Sequence, residues 1–208
     1  MRREFIVGAV VLAAGATAAL ADTLYEKSPD LGDFWFPLDP DSGSFVYANS
    51  FVAPAGDTTI SDLGMWLNAQ GTGGSSIRFE VWGDTGGSGP DAGNVISSTG
   101  SLAAFANSGL TYYEASASSG NLVPGNTYWF AATVVGESGP GFYNVGGHTQ
   151  NSQHSDNGTF WFSNDPSGSF FDGQNFTPEM AFTVRLVPAP ASMALLGLGG
   201  LVAARRRR

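Results

Sequence analysis

The sequence contains no cysteine, one lysine and two histidines in 208 residues. The absence of cysteine excludes disulfides and cysteine-ligated zinc, so the stability of the fold must come from packing of its core. Bases are also scarce between the two ends of the chain. Residues 22–187 carry three bases and 17 acids, a formal charge of −14. This charge excludes nucleic acid and anionic membrane surfaces as partners of that region.

Residues 22–187 also lack the pattern of an amphipathic helix. Short runs of strand type recur instead, each bounded by Gly, Pro, Asn or Asp. The predicted strands cover residues 44–52, 58–68, 76–82, 94–99, 110–117, 127–135, 159–163 and 179–187. This pattern predicts an all-β fold, namely an antiparallel β-sandwich of jelly-roll type.

Three of these runs give more specific expectations. Apolar and polar residues alternate in 76–82, which predicts one face toward the core and one face outward. Ile60 is out of phase with Leu63, which predicts a bulge near Ser61 and Asp62. The run 127–135 is the most hydrophobic, so it is predicted to lie at the centre of a sheet.

The first 21 residues have the pattern of a secretory signal peptide, predicted as a helix. Arg2 and Arg3 form its positive start, and an apolar, small-residue run follows at 5–20. A small-x-small sequence at 19–21 predicts cleavage between Ala21 and Asp22. The protein is therefore expected to be exported.

The C-terminal tail has three parts. A proline motif comes first, then an uncharged apolar segment at 191–204, then four bases; the motif and the bases are Pro188, Ala189, Pro190, Arg205, Arg206, Arg207 and Arg208. The apolar segment predicts a short helix, below the about 20 residues of a standard membrane-spanning helix. The arginines hold the end of the chain on the cytoplasmic side.

This tail resembles a PEP-CTERM sorting signal, in which Pro-Glu-Pro precedes an apolar segment and a basic cluster. Ala189 stands where that pattern has glutamate. The resemblance implies a bacterium with an outer envelope that secretes exopolysaccharide. It also implies transient anchoring in the membrane through the tail, processing by an exosortase near Pro188 to Pro190, and delivery of the body to the cell surface or its release.

The chain is thereby divided into a signal peptide at 1–21, a lead-in segment at 22–43, a β-sandwich domain at 44–187 and the sorting tail at 188–208. The domain resembles the choice-of-anchor class of bacterial surface domains. The residues that carry this resemblance are the start at 51–54, the run 77–82, and 122–130, where a strand is entered through Pro-Gly-Asn-Thr-Tyr-Trp. The resemblance implies an exported, anchored β-sandwich and no known activity.

Three tryptophans are candidate ligand-binding residues. Trp66, Trp82 and Trp129 fall on the strand faces opposite the aliphatic core residues. Outward aromatic rings stack on the apolar faces of sugars, so these residues predict a carbohydrate site. The alternative, which we favour, is that loops cover these faces and pack the rings, because exposed apolar patches are rare without a partner.

Aspartates in loops are candidate calcium ligands, because calcium takes six to eight oxygen ligands and acidic loops supply them. The candidates are Asp39, Asp41, Asp165 and Asp172, and a glycine-rich loop is bounded by Asp84 and Asp91. Their spacing matches neither an EF-hand nor a nonapeptide repeat. The alternative is that they are turn residues, and no other cofactor is expected.

These observations predict an exported, surface-sorted protein of the bacterial envelope that is not an enzyme. Its expected role is structural or adhesive, within the extracellular polysaccharide or the surface layer. Two alternatives stay open, a lectin-like carbohydrate-binding module and a secreted glycan hydrolase. A hydrolase would need paired carboxylates, and the sequence does not indicate which of the acids would pair.

Overall fold

A computed structural model describes residues 23–26, 29, 33–38, 46–56, 58–70, 76–86, 89–103, 109–135, 142–148, 160–163, 170–172 and 179–188. These residues form strands and turns and contain no helix. In this part of the chain, accordingly, no helix is long and apolar enough to cross a membrane. The predicted helices of the signal peptide and of the tail lie outside the described residues.

The strands are divided equally between two sheets, and every pairing is antiparallel. Sheet one contains β1 (Thr23–Glu26), β2 (Asp33–Leu38), β4 (Thr59–Gln70), β8 (Thr111–Ser116), β10 (Phe142–His148), β13 (Glu179–Met180) and β14 (Phe182–Val187). Sheet two contains β3 (Val46–Val52), β5 (Ser76–Asp84), β6 (Pro90–Ser98), β7 (Leu102–Ala103), β9 (Thr127–Val135), β11 (Phe160–Ser163) and β12 (Phe170–Asp172). The prediction of an all-β, antiparallel fold is confirmed.

The strand order follows from the registers. Sheet one runs β1-β14-β4-β10-β13, with β8 also paired to β4 and β2 to β10. Sheet two runs β12-β11-β3-β9-β5-β6, with β7 also paired to β5. The segment at 22–43, predicted as a lead-in, therefore supplies β1 and β2 to sheet one.

The two sheets bury one shared core between them. It contains the inward residues of β3, β5 and β9 from sheet two and of β4, β10 and β14 from sheet one. Phe130 of β9 and Phe182 of β14 stack across the interface with ring centroids 4.5 Å apart, and both are fully buried. Strand alternation places each second residue in this layer.

Three specific expectations are confirmed. Ile77, Phe79 and Val81 of β5 all enter the shared core. The strand β9 lies between β3 and β5. The register of β14 on β4 passes from Asp62 to Ile60 between adjacent residues of β14, so the bulge falls at the intervening position, Ser61.

The turn before β9 explains the Pro-Gly-Asn-Thr-Tyr sequence. Gly125 has φ of 81°, a left-handed conformation that glycine adopts without strain. The Tyr128 hydroxyl accepts a hydrogen bond from Val123 N–H at 2.9 Å. Gly125 N–H donates to Ala53 O and Ala53 N–H donates to Asn126 O, both at 2.9 Å, which joins the turn to the end of β3. The sequence therefore specifies a turn that is hydrogen-bonded to the end of β3.

Candidate functional site

The outward residues of β4, β8 and β14 form a polar and aromatic surface on sheet one, which we call the sheet-one face. Its members are Asp62, Gly64, Trp66, Tyr112, Glu114, Ser116, Thr183 and Arg185. The registers place them in rows across the sheet: Trp66 lies opposite Tyr112, and Gly64 lies between Glu114 and Thr183. The members on β4 and β14 alternate with residues of the shared core.

Tyr112 lies across the strand next to its own. Its hydroxyl is 2.7 Å from Thr183 Oγ1 on β14 and donates to Glu114 Oε1 at 3.0 Å. A Cβ placed on Gly64 would collide with the Tyr112 hydroxyl and lie 2.8 Å from Tyr112 Cε2. The missing side chain at Gly64 is therefore what lets the phenol ring rest against β4. Partial burial raises the pKa of Tyr112 to about 12, and the hydrogen bond to Glu114 adds to the increase.

A cluster of charged side chains occupies the adjoining rows of the face. Arg185 Nη2 donates to Glu114 Oε1 at 3.2 Å, and Arg185 Nε lies 3.8 Å from Asp62 Oδ2. The hydrogen bond to Glu114 raises the pKa of Arg185 above its ordinary value. Ser116 Oγ and Ser61 Oγ donate to the two oxygens of Asp62. The cluster thus holds one guanidinium and two carboxylates in fixed positions at the surface.

Trp66 completes the aromatic part of the sheet-one face. Its ring centroid is 4.7 Å from that of Tyr112, with the ring planes inclined by 43°. Trp66 is partly exposed, and Tyr112 is 38% exposed. Of the three predicted tryptophans, Trp66 is therefore the one that is partly exposed, and it lies beside Tyr112.

Trp82 and Trp129 lie on the outward face of sheet two, where both are 97% buried. Trp82 Nε1 donates to Glu80 Oε2 at 3.1 Å, and Trp129 Nε1 donates to Asp84 Oδ1 at 2.9 Å. Trp161 of β11 meets Trp129 edge to face with centroids 6.0 Å apart. This second cluster fits the interpretation in which the rings are packed, and a role of Trp82 and Trp129 in ligand binding stays a prediction.

None of the four predicted calcium ligands has a side chain that the structure describes. Asp39, Asp41 and Asp165 lie outside the described residues, and Asp172 ends β12 with its side chain also outside them. Within the described ranges, no three acidic or histidine side chains gather to hold a metal ion. Asp84 Oδ1 accepts from Trp129, and Asp91 Oδ1 accepts from Gly93 N–H. Calcium at the four predicted aspartates stays a prediction, as does the hydrolase alternative.

The junction with the tail is defined by the last strand. Leu186 is fully buried and pairs with Ile60 and Thr23, and Val187 pairs with Thr59. Pro188 follows directly and is partly exposed. The other predicted sorting and processing residues lie outside the described residues; they are Ala21, Asp22, Ala189, Pro190, Arg205, Arg206, Arg207 and Arg208.

Comparison with protein families matches residues 186–208 to the PEP-CTERM protein-sorting motif. The tail is a PEP-CTERM sorting signal. The protein is accordingly exported and sorted to the cell surface, with a C-terminal signal that associates with the membrane and is processed by an exosortase. Neither a curated protein nor a solved structure matches the chain.

Of the sheet-one face, Trp66 is the member that the sequence predicts as a ligand-binding residue. The sequence also predicts the strands at 110–117 and 179–187 but indicates no role for Tyr112, Glu114 or Arg185. The available signal was strand alternation, because these residues occupy the positions between core residues. Their convergence depends on the registers of β8 and β14 on β4, which local sequence does not reveal.

Proposed function

We propose that this PEP-CTERM protein is a structural or adhesive component of the bacterial envelope, held in the extracellular polysaccharide or the surface layer. The observation that carries the proposal is the position of the sorting motif. The match begins at Leu186, in the last strand, and the proline motif starts immediately after Val187. A cut beyond Pro188 would therefore leave every described strand pairing in place.

The tail supplies the sorting mechanism. After export and cleavage between Ala21 and Asp22, the apolar segment halts in the membrane while Arg205 to Arg208 stay inside. An exosortase then cuts near Pro188 to Pro190 and transfers or releases the body. The body's charge of −14 keeps it soluble and away from anionic lipid and nucleic acid.

We propose a jelly-roll topology for the body. In a jelly roll, the first, eighth, third and sixth strands form one sheet, and the second, seventh, fourth and fifth form the other. The order β1-β14-β4-β8 in sheet one and β3-β9-β5-β6 in sheet two supports this topology. The strands β10 to β13 would then be an insertion before the last strand, and β2 and β7 would be additional strands paired to β10 and β5.

The choice-of-anchor assignment is also a proposal. Its support is that the residues that carry the resemblance have structural roles in the fold. Ile77, Phe79 and Val81 enter the core, and the turn before Tyr128 is hydrogen-bonded to the end of β3 at Ala53. These residues specify a fold, which agrees with a class defined by architecture rather than by an activity.

The decisive experiment is the intact mass of the native protein, purified separately from the envelope and from the culture medium. We expect a species that begins at Asp22 and ends between Pro188 and Ala191. Additional mass at the new C-terminus would show covalent attachment to an envelope component, as the proposal expects. A species that retains Arg205 to Arg208 in both fractions would overturn the processing step.

A further inference from the structure

We propose that the sheet-one face binds neutral polysaccharide, with Tyr112 as the stacking platform and Glu114 and Arg185 as the hydrogen-bonding pair. The inference deepens the proposed function, on which it rests for the place where the protein meets its ligand. It names the surface through which an adhesive role would be exerted.

Tyr112 has the geometry of a stacking platform. The strand β8 bears the ring, Gly64 of β4 lies beneath it, and Thr183 of β14 holds its hydroxyl. A side chain that reaches across a neighbouring strand in this way lies along the sheet surface, with the Trp66 ring packed beside it. The 38% exposure of Tyr112 agrees with this orientation. The negative π-face of such a ring attracts the C–H groups of a sugar.

The charged neighbours of Tyr112 can hydrogen-bond to the hydroxyls of a sugar. Neighbouring hydroxyls of a sugar each donate and accept, so a carboxylate beside a guanidinium satisfies both functions. The side chains of Glu114 and Arg185 are 29% and 33% exposed and meet at 3.2 Å. Because they are held by Tyr112 and Asp62 as well as by each other, little ordering cost remains when a ligand binds.

The charge of the face selects among polysaccharides. Glu114 and Asp62 outnumber Arg185, and Glu26 of β1 lies opposite Thr183 in the register and adds a third acid. The whole of residues 22–187 is strongly acidic. Polyanionic chains are therefore repelled, and a neutral chain is the ligand that these groups favour.

A peptide strand cannot add to β4 at the centre of this surface. Peptides that add to a sheet need an unpaired edge whose backbone groups are available. At Asp62 to Met65, β4 is paired with β14 on one side and with β8 on the other. The exposed groups of the face are therefore side chains, which suits a carbohydrate.

The test is affinity electrophoresis of the full-length chain, in mild detergent, through native gels cast with dextran, mannan, galactan or hydroxyethyl cellulose. Alginate serves as the polyanionic control. We expect retardation in at least one neutral gel and none in alginate. The absence of retardation in all four neutral gels, or retardation in alginate alone, would overturn the inference.

Two variants locate the site. Tyr112→Ala should weaken the apparent affinity about tenfold, as expected for an aromatic anchor, and Glu114→Gln about threefold with little change in shape. Val95→Ala is the matched control, because Val95 is 47% exposed on β6 of sheet two. Thermal unfolding of each variant reports whether the fold is retained.

The outcomes separate this inference from the proposed function. Unchanged retardation in folded Tyr112→Ala and Glu114→Gln would overturn the site. A change in oligomeric state without retardation in any neutral gel would assign the face to a second copy of the chain and would also overturn it. In either case, the intact-mass result on sorting would stand independently.

Discussion

Two truncations test whether the fold ends where the sorting tail begins. One chain ends at Pro188 and the other ends at Arg185, so only the second loses the end of β14. Leu186 is fully buried and pairs with both Ile60 and Thr23. We expect the chain that ends at Pro188 to match the full-length chain in its free energy of unfolding, measured in the same mild detergent.

The shorter chain should be much less stable. Removing a buried leucine side chain costs about 1.5–3 kcal/mol, and losing the terminal pairings of β14 adds about 0.5–1.5 kcal/mol for each net hydrogen bond. With two such bonds the sum is about 2.5–6 kcal/mol, which is a large part of the roughly 5–15 kcal/mol that holds a typical domain.

Urea unfolding followed by tryptophan fluorescence measures both differences. A loss of more than about 1 kcal/mol in the chain that ends at Pro188 would refute the reasoning, since 1 kcal/mol is a typical single interaction. It would show that the tail takes part in the fold. Equal stability of the two truncations would refute it in the opposite direction.

Two further predictions concern the turn before β9 and the sheet-one face. Gly125→Ala should lower the free energy of unfolding by about 1–2 kcal/mol, because φ of 81° is unfavourable for an L-residue although the space around Gly125 is open. Gly100→Ala, in equally open space at an ordinary φ, should be neutral in the same urea titration, and equal effects would contradict the backbone argument. Because the pKa of Tyr112 is raised to about 12 in the folded protein, the unfolded chain ionises first, and stability should fall as pH rises from about 10 to about 12. Tyrosinate absorbance should show a late-titrating component that Tyr112→Phe removes, and a titration identical in that variant would disprove the assignment.

Much of the fold was predictable because it depends on local pattern. The alternation at 76–82 assigned Ile77 to the core, and a phase error of one residue located the bulge at Ser61. By contrast, β1 and β2 lie in short segments whose partners are β14 and β10, far along the chain. Pairing at such a distance leaves no pattern in the local sequence, so the sequence predicts the segment at 22–43 only as a lead-in.

The candidate sites show the same division between local and distant information. Alternation placed Trp82 and Trp129 on an outward face, but it did not show whether that face is covered. The residues that cover it include Trp161 from β11 and Ala92 from a bulged part of β6. Trp161 is distant in sequence from Trp82, and Ala92 is distant in sequence from Trp129. Such packing is decided by tertiary structure, so the sequence left both alternatives open.

The two outer faces differ in how many exposed groups they offer to a binding partner. On sheet two, the indoles are buried and their N–H groups already bind Glu80 and Asp84. On sheet one, an exposed ring and a charged pair lie together, and Arg185 is only three residues before Pro188. Three extended residues span about 10 Å. A body attached to the envelope through a new end near Pro188 would therefore carry this face beside its attachment point, whereas a released body would present the same face without a tether. If the face binds polysaccharide as proposed, the sorting outcome would set how that ligand reaches it, because β14 carries both Arg185 of the face and the end that precedes Pro188.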